Sequence, residues 1–432
     1  MKRREFLASM GGLVLASPLA ISACGNTSTG SATGNQKVTI NWWFLDAQAK
    51  QNADWQNVAK QYMKAHPNVT IKTTIIENQA FKQKLATVMQ AGQPPDIFHS
   101  WGGGILFNYA KAGLVKDLTP DLQGGWGDSF SQSALNVYAQ NGHNWGVPWD
   151  MGGIAFYYNK DLFAKANITQ LPTTWSQFLQ VVQQLKSAGI TPIALGEGDK
   201  WPGHYWWAYL ATRIGGKAGF DAAATQQGAG FASQPFVEAG QRLQELIALK
   251  PFQKGFLGAV YNDEITAMGT GKAAMELMGQ WAPAADEGQV PKGKTLNLGF
   301  FPFPMVEGGA GNPNDVFGGG GGYAVGKNAP QEAVDFLKFF TSVQVQRAFG
   351  KAGYLTPVVK GASDALTNPL LRDVQNMVAH APYFQLYYDQ YFPPAIANAV
   401  LDGTQALYAG TTTPQAVAQQ VQAAAATALQ GS

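Results

Sequence analysis

The chain of 432 residues carries charged side chains at only 13% of its positions and has a formal net charge of +2. This composition argues against nucleic acids and strongly ionic ligands as partners, because both call for a basic stripe or a dense charge cluster. Aromatic residues are abundant, with 12 Trp, 15 Tyr and 24 Phe, which fits neutral, ring-shaped ligands. About 395 residues follow the N-terminal segment, more than one hydrophobic core usually organises, and they predict two domains.

The first 23 residues have the pattern of an export signal. Basic residues at positions 2–4 precede a short apolar run, and small residues lead to Cys24. The run is too short to span a bilayer as a permanent helix. Residues 21–24 (ISAC) resemble a bacterial lipobox, whose cysteine is lipidated, and residues 3–7 (RREFL) resemble a twin-arginine signal. We therefore expect an extracytoplasmic protein held on the outer face of the cell membrane through lipidated Cys24.

Cys24 is the only cysteine, so no internal disulfide can form. Residues 24–36 consist mainly of Gly, Ser, Thr and Asn, a composition that buries too little apolar surface to order itself. This stretch is predicted to be a flexible tether.

Strand and helix patterns alternate three times between residues 38 and 112. The predicted strands are 38–43, 69–76 and 96–99, and the predicted helices are 53–64, 79–90 and 105–112. Such alternation is typical of βαβ units in a parallel sheet. Ligands gather at the carboxyl ends of parallel strands, which here lie near residues 42–48, 77–79 and 100–104.

The remainder of the chain continues this alternation. Thr174 begins a capping box for a helix that extends to residue 188. Further helices are predicted at 237–248 and 330–340, and further strands at 191–195, 273–278 and 296–303. The five glycines at 318–322 are too flexible for the centre of a strand and predict a hinge or a close backbone approach.

Residues 196–207 (GEGDKWPGHYWW) combine carboxylates with three tryptophans, and the predicted strand before them makes this stretch a strand-end loop. Tryptophan offers a stiff apolar face, and a carboxylate accepts two hydrogen bonds from neighbouring hydroxyls. A sugar has both kinds of surface. Clustered Trp and Tyr residues also serve as core packing, so both interpretations remain open at this point.

Several phrases together resemble the family 1 extracellular solute-binding proteins of ABC importers, the sugar-binding cluster that includes the maltose-binding proteins. They occur in the order of that family and span most of the chain after the tether: GQPPDIF at 92–98, AGLVKDL at 112–118, YNKDLF at 158–163, PTTWSQF at 172–178, GKAAM at 271–275 with GQW at 279–281, and APQEAVDF at 329–336.

The resemblance implies an α/β, two-lobe periplasmic-binding-protein fold, a type II-like Venus flytrap with the ligand cleft between the lobes. Glycine- and proline-rich junctions place the crossovers near 147–153, 318–323 and 350–356. The N-terminal lobe is then predicted to contain 37–147 and 320–350, and the C-terminal lobe 148–319 and 351–432. Closure of the lobes on a ligand follows from the preference of that ligand for the closed form.

Within this resemblance the ligand-binding candidates are the polar and aromatic residues of the predicted cleft. Trp281 resembles the ring on which a sugar stacks in the family. The candidates of the N-terminal lobe are Asp46, Gln48, Gln79 and Trp101. Those facing them are Asp150, Glu197, Asp199, Trp201, Trp281, Tyr354, Tyr387 and Asp389.

These observations predict a monomeric, lipid-anchored binding protein that delivers a di- or oligosaccharide to the permease subunits of an ABC importer. One alternative is a secreted glycoside hydrolase or lyase with Glu197 and Asp199 as its carboxyl pair. Another is a binding protein for a different neutral solute such as a polyol. We expect no catalytic residue, because the sequence has no nucleophile elbow and no HExxH motif. Nor do we expect a metal or other cofactor, since the five histidines lack metal-ligand spacing.

Overall fold

The computed structural model describes residues 36–429. The predicted signal peptide, Cys24 and residues 25–35 of the predicted tether lie outside the described residues. Strands and helices alternate through the described chain, which confirms the predicted α/β class.

The strands are short, and most contain β-branched or aromatic residues that suit a half-buried sheet. In chain order they are β1 Val38–Leu45, β2 Val69–Ile76, β3 Ile97–Ser100, β4 Ala139–Gln140, β5 His143–Asn144, β6 Val147–Pro148, β7 Gly152–Gly153, β8 Ala155–Asn159, β9 Met275–Met278, β10 Leu298–Phe301, β11 Val316–Gly319, β12 Gly322–Val325 and β13 Phe384–Leu386.

The helices cover these strands. In chain order they are α1 Ala49–Ala65, α2 Asn78–Gln90, α3 Gly103–Lys111, α4 Thr119–Leu122, α5 Gln132–Asn136, α6 Lys160–Lys165, α7 Trp175–Ser187, α8 Trp201–Ala224, α9 Gln234–Ala248, α10 Tyr261–Gly269, α11 Ala282–Glu287, α12 Gln331–Phe340, α13 Val343–Lys351, α14 Pro369–Ala379, α15 Tyr388–Tyr391, α16 Pro394–Tyr408 and α17 Pro414–Ala428. Short 3-10 turns occur at Gly127–Ser129, Glu197–Asp199, Gly230–Ala232 and Ser363–Ala365.

The N-terminal lobe is built on a five-stranded sheet with the order β2-β1-β3-β12-β6. β1 is parallel to β2 and β3, and β12 is antiparallel to β3 and β6. Alternate residues of β1 point to opposite faces. Trp42 and Phe44 pack in one core with α1 and α12, whereas Trp43 packs with α2 and α3. The sheet is therefore covered by helices on both faces, as βαβ units require.

The C-terminal lobe contains two three-stranded sheets, β10-β8-β9 and β13-β11-β7, around a separate core. Phe156 of β8 stacks on Phe301 of β10 with a centroid separation of 4.7 Å. Trp206 and Trp207 of α8 are fully buried in this core, and Trp207 Nε1 donates a hydrogen bond to the carbonyl of Phe236. These two tryptophans therefore stabilise the lobe by packing.

Three backbone segments meet where the lobes join. Trp149 N and Asp150 N both donate to the carbonyl oxygen of Gly321, at 2.7 and 3.1 Å. An isolated bridge links Asp150 to Pro357 in the third segment. The core of the N-terminal lobe extends past the predicted boundary at residue 350, because Leu355 and Val358 pack into it. The exact division of the chain between the lobes stays a prediction.

Two local predictions were wrong. Residues 191–195 form isolated bridges at Ile193 and no regular strand. The stretch 196–207 is no open loop: Glu197–Asp199 form a 3-10 turn, and α8 begins at Trp201 with a proline in its first turn. Proline fits the first turn of a helix because its missing N–H would have no helical partner there. The cap at Thr174 is confirmed, since its side chain accepts a hydrogen bond from Gln177 N.

The glycine run lies at strand ends and not at a strand centre. Gly318 and Gly319 end β11, and Gly322 begins β12. The close backbone approach predicted for this run is confirmed. A Cβ on Gly322 would lie 2.2 Å from the carbonyl oxygen of Val147 and 2.3 Å from the hydroxyl of Tyr138. Glycine is needed here because the backbones leave no room for a side chain.

We expect Gly322→Ala to lower the free energy of unfolding by about 1–3 kcal/mol, the usual cost of forcing an extra methyl group into a packed site. Urea unfolding followed by tryptophan fluorescence measures this change. Gly258→Ala is the matched control, because the nearest atom to its added methyl group lies 3.9 Å away. Equal effects of the two substitutions would contradict the steric explanation.

Candidate functional site

Helix α2 supplies the N-terminal lobe's side of the site. The Glu77 carboxylate caps this helix by accepting hydrogen bonds from Gln79 N at 2.9 Å and Ala80 N at 3.1 Å. Gln79 and Lys82 are three residues apart and therefore share a face of the helix. Gln79 Nε2 donates to the carbonyl oxygen of Asp199 in the C-terminal lobe at 2.7 Å. One face of α2 thus reaches across the cleft.

Lys82 lies between two candidates from different lobes. Its ammonium is 3.8 Å from Asp389 Oδ2 and 5.2 Å from the centroid of the Trp101 ring. Trp101 follows β3 and packs edge-on against His99, with ring centroids 4.6 Å apart. The structure therefore brings Trp101 and Asp389 together around a lysine that the sequence analysis did not select.

The first turn of α8 forms the opposite wall with α10 and α11. Trp201 packs edge-on against Tyr261 at 4.9 Å and lies 6.2 Å from Trp281, measured between ring centroids. Asp199 Oδ2 accepts a hydrogen bond from Tyr261 N at 2.9 Å, which fixes the turn before the helix. Tyr205, one helical turn after Trp201, stacks on Tyr387 at 5.1 Å.

The aromatic residues of the site differ in exposure. Trp201, Tyr205 and Tyr387 are 5, 4 and 3% exposed, so they form the buried inner layer of this wall. Trp101 and Trp281 are half-buried and keep part of their rings accessible. They belong to different lobes, so each wall of the cleft has one partly accessible tryptophan.

Several buried polar atoms of the site have no hydrogen-bonding partner within the protein. They are Trp201 Nε1, His204 Nε2, Gln280 Oε1, Tyr387 Oη, Asp389 Oδ1 and Gln390 Oε1. Such an atom costs about 1–3 kcal/mol when it stays unpaired, and most buried polar groups in proteins are paired. The set contains both donors and acceptors, so it matches a ligand that has both, such as one rich in hydroxyl groups.

Asp150 lies at the junction of the lobes. Its Oδ1 accepts a hydrogen bond from Gly321 N at 2.6 Å, and its Oδ2 accepts one from Gln280 Nε2 at 2.8 Å. Burial raises the pKa of Asp150 to about 6, and the two hydrogen bonds act in the opposite direction. Gln280 directly precedes Trp281, so Asp150 connects the backbone of the predicted hinge to the loop that carries a predicted stacking ring.

The remaining candidates lie at the edge of this arrangement or inside a lobe. Glu197 is fully buried, its carboxylate packs against Gly203, and burial raises its pKa well above the ordinary value. Asp46 is exposed and accepts a hydrogen bond from Asn52 Nδ2 at 2.6 Å.

Tyr354 and Gln48 lie near the start of α1. The Tyr354 hydroxyl accepts a hydrogen bond from Lys50 Nζ at 2.8 Å, within the N-terminal lobe. The Gln48 side chain reaches Gly288 of the C-terminal lobe, where an added Cβ would lie 3.1 Å from Gln48 Cγ. Gln48 therefore spans the lobes, whereas the contacts of Tyr354 do not.

The sequence analysis did not select Lys82, His204 and Tyr205 as ligand-binding candidates, and the structure places them beside the selected residues. The helical period could have found Lys82, because it lies three residues after Gln79. His204 and Tyr205 were hidden by the incorrect assignment of their stretch to a loop. In α8 they follow Trp201 by three and four residues and lie on its face.

Other features of the described residues do not compete with this site. A cavity of about 550 Å³ is lined by residues of the C-terminal lobe, including Tyr158 and Leu298, and a groove of about 1580 Å³ runs beside α3 and α15. Neither is lined by a predicted ligand-binding residue. Residues 36–429 contain no group of three His, Cys, Asp or Glu side chains placed to hold a metal ion. None of their helices is long and apolar enough to cross a membrane.

Four carboxyl groups behind the aromatic wall make stability depend on pH. Burial raises the pKa of Glu276 to about 8 and the pKa values of Glu197, Glu264 and Asp286 well above their ordinary values. A group with a raised pKa binds its proton more tightly in the folded state, so its contribution is complete below the unfolded pKa and is lost as the pH rises.

We therefore expect the urea midpoint to fall as the pH rises from about 5 to about 9. Glu276→Gln should flatten this dependence, because an amide does not ionise, and Glu287→Gln, at an exposed position, should leave it unchanged. A midpoint that rises over this range would contradict the burial of protonated carboxyl groups.

Comparison with known proteins gives the family. The sequence profile described as "Bacterial extracellular solute-binding protein" matches residues 46–347. The "Multiple sugar-binding protein" of Streptococcus mutans is 24% identical over 83% of this chain and 84% of its own.

Two solved structures have TM-scores of 0.83. One comes from a study of xylan utilization by the thermophilic bacterium Caldanaerobius polysaccharolyticus; it is 30% identical over 89% of this chain and 99% of its own. The other is a "Chitin oligosaccharide binding protein", 28% identical over 92% of this chain and 100% of its own. The profile match and these two-lobed relatives agree with the helix-covered sheets on either side of the cleft, and the chain belongs to the bacterial extracellular solute-binding proteins.

Proposed function

We propose that the protein captures a di- or oligosaccharide outside the cytoplasm and delivers it to the permease subunits of an ABC importer. In this proposal it acts as a monomer, without catalysis, and is anchored to the membrane through lipidated Cys24. The observation that carries the proposal is the pair of half-buried tryptophans, Trp101 and Trp281, beside buried polar atoms that lack partners in the protein.

The chemistry of the cleft supports a sugar. The faces of Trp101 and Trp281 offer flat apolar surface for the C–H face of a pyranose ring, and the unpaired donors and acceptors match its hydroxyl groups. Relatives named for multiple sugars and for chitin oligosaccharides, and a structure from a study of xylan utilization, point to the same ligand class.

The positions of the aromatic rings support a ligand longer than one sugar unit. Trp101 belongs to the N-terminal lobe and packs beside Lys82, whereas Trp281 packs beside Trp201 in the C-terminal lobe. Two separate platforms suit two sugar rings better than one. A small polyol has no ring to stack and would leave both faces unused, which favours the oligosaccharide over that alternative.

Closure has a physical basis in the contacts between the lobes. The hydrogen bond from Gln79 to Asp199 and the approach of Lys82 to Asp389 both join α2 to the C-terminal lobe. A ligand that touches both walls favours the closed arrangement by its difference in affinity for the two states. The hinge backbone around Gly321 is the segment about which such a movement is expected.

The carboxyl pair invoked for a hydrolase is poorly placed for catalysis. Glu197 is fully buried without an accessible oxygen, and Asp199 Oδ2 is engaged by Tyr261 N. Glycosidases need two carboxyl groups that flank the scissile bond. These contacts favour binding over hydrolysis, and release of a reducing sugar from a bound oligosaccharide would restore the hydrolase alternative.

We expect isothermal titration calorimetry to detect binding of at least one member of a panel of xylobiose, xylotriose and N,N′-diacetylchitobiose, with quenching or a shift of tryptophan fluorescence. Glycerol and sorbitol serve as polyol controls. Binding of a polyol without binding of any sugar would show that the ligand is a polyol. Absence of binding heat with every sugar of the panel would refute the proposed sugar ligand.

Trp281→Ala should weaken binding of the best sugar of this panel by about tenfold or more, because central aromatic anchors carry a large share of binding energy. Trp207→Ala is the comparison: this ring is fully buried, so its loss should lower stability by about 3–5 kcal/mol with a smaller effect on affinity in the folded fraction. Calorimetry measures the loss of affinity, and thermal melting measures the loss of stability, in each variant. Equal losses of affinity accompanied by equal unfolding would refute this ranking.

A further inference from the structure

His204 has a defined tautomer. Its Nδ1 lies 2.7 Å from the carbonyl oxygen of Trp201, and a carbonyl only accepts hydrogen bonds, so Nδ1 carries the proton. Burial lowers the pKa of His204, an effect that the nearby Asp389 carboxylate opposes. The imidazole is therefore neutral near pH 7, and its Nε2 is an acceptor.

This acceptor faces a second acceptor. His204 Nε2 lies 3.4 Å from Asp389 Oδ1, and both atoms are buried without a hydrogen-bonding partner in the protein. The other oxygen, Asp389 Oδ2, accepts a hydrogen bond from Gln390 Nε2 at 2.9 Å. Neither Nε2 nor Oδ1 can donate to the other in this arrangement, so each requires a donor from elsewhere.

The surroundings of the pair include one cation and two phenols. Lys82 on α2 approaches Asp389 Oδ2 at 3.8 Å, and its positive charge also acts on His204. Tyr205, next to His204 on α8, has its ring centroid 4.7 Å from the imidazole and stacks on Tyr387. Gln79, one turn before Lys82 on α2, makes the hydrogen bond to Asp199 across the cleft.

We propose that His204 Nε2 and Asp389 Oδ1 form a twin-acceptor subsite that recognises two neighbouring hydroxyl groups of a pyranose ring. One hydroxyl donates to the imidazole nitrogen and the next donates to the carboxylate. The Lys82 ammonium donates to a hydroxyl oxygen, which completes the pattern. This inference rests on the proposed sugar-binding function and names the group that the site selects.

Asp389→Asn separates this role from a merely structural one. The new Nδ2 can donate to His204 Nε2, while the remaining oxygen still accepts from Gln390. The substitution should therefore raise the melting temperature of the sugar-free protein by a few degrees, because it pairs two buried atoms. It should also weaken binding of xylobiose or N,N′-diacetylchitobiose by about tenfold or more, because the ligand loses an acceptor.

The matched control is Asp402→Asn, which removes a carboxylate of the C-terminal lobe that is half exposed and paired with Lys200. This control should change neither the melting temperature nor the affinity for the disaccharide appreciably. A lower melting temperature together with weaker binding in Asp389→Asn would indicate a structural carboxylate and overturn the subsite. Unchanged sugar affinity in Asp389→Asn would overturn it as well.

The tautomer gives a test that needs no sugar. The ¹⁵N shifts of His204, assigned by their loss in His204→Gln, should show a protonated Nδ1 and a bare Nε2 at pH 7. A protonated Nε2 would overturn the subsite. If the tautomer and the melting shift are as expected but neither disaccharide binds the unsubstituted protein, the proposed function and the ligand of the subsite both fail.

Discussion

The organisation of the site depends on one contact between the lobes, the hydrogen bond from Gln79 on α2 to the carbonyl oxygen of Asp199. It brings the cap of a helix in one lobe against the turn that starts a helix in the other. Lys82 follows on the same face of α2 and approaches Asp389. Both contacts come from one helix face, so the same surface of α2 holds two points of the C-terminal lobe.

The predicted hinge is linked to the same site through Asp150. Its two oxygens hold Gly321 of one crossover and Gln280, the neighbour of Trp281. The strands around Gly321 need glycine for lack of space, since backbone and ring atoms fill the positions where side chains would lie. The region around Gly321 is thus tightly packed.

The C-terminal wall contains both core residues and residues of the candidate site. Trp206 and Trp207 are pure core residues, whereas Trp201 and Tyr205, from the same helix, line the site. Behind them, burial raises the pKa values of carboxyl groups such as Glu276 and Asp286, because an uncompensated buried charge is costly. Buried polar atoms of the wall that lack a partner lower the stability of the free protein, and in the proposed function a hydroxyl-rich ligand would pair them.

The sequence by itself determined the α/β class and most helix and strand positions, because hydrophobic periodicity and capping residues such as Thr174 are local signals. The family followed from the resemblance of several short phrases spread along the chain. The sequence also selected Gln79 and Trp101 at strand ends, and the family resemblance suggested Asp389. The structure brings these side chains to the cleft, and their contact with a ligand stays a prediction. The sequence could not decide that 196–207 is mainly helical, since tertiary packing of Trp206 and Trp207 overrides the loop-like glycines and proline. Only the tertiary structure decided that Lys82 and His204 meet Asp389, because these residues are far apart in the chain and belong to different helices. The local sequence of Glu197 looks like an open acidic loop, but the tertiary structure shows this side chain fully buried. Burial depends on what packs against a segment and not on the segment alone.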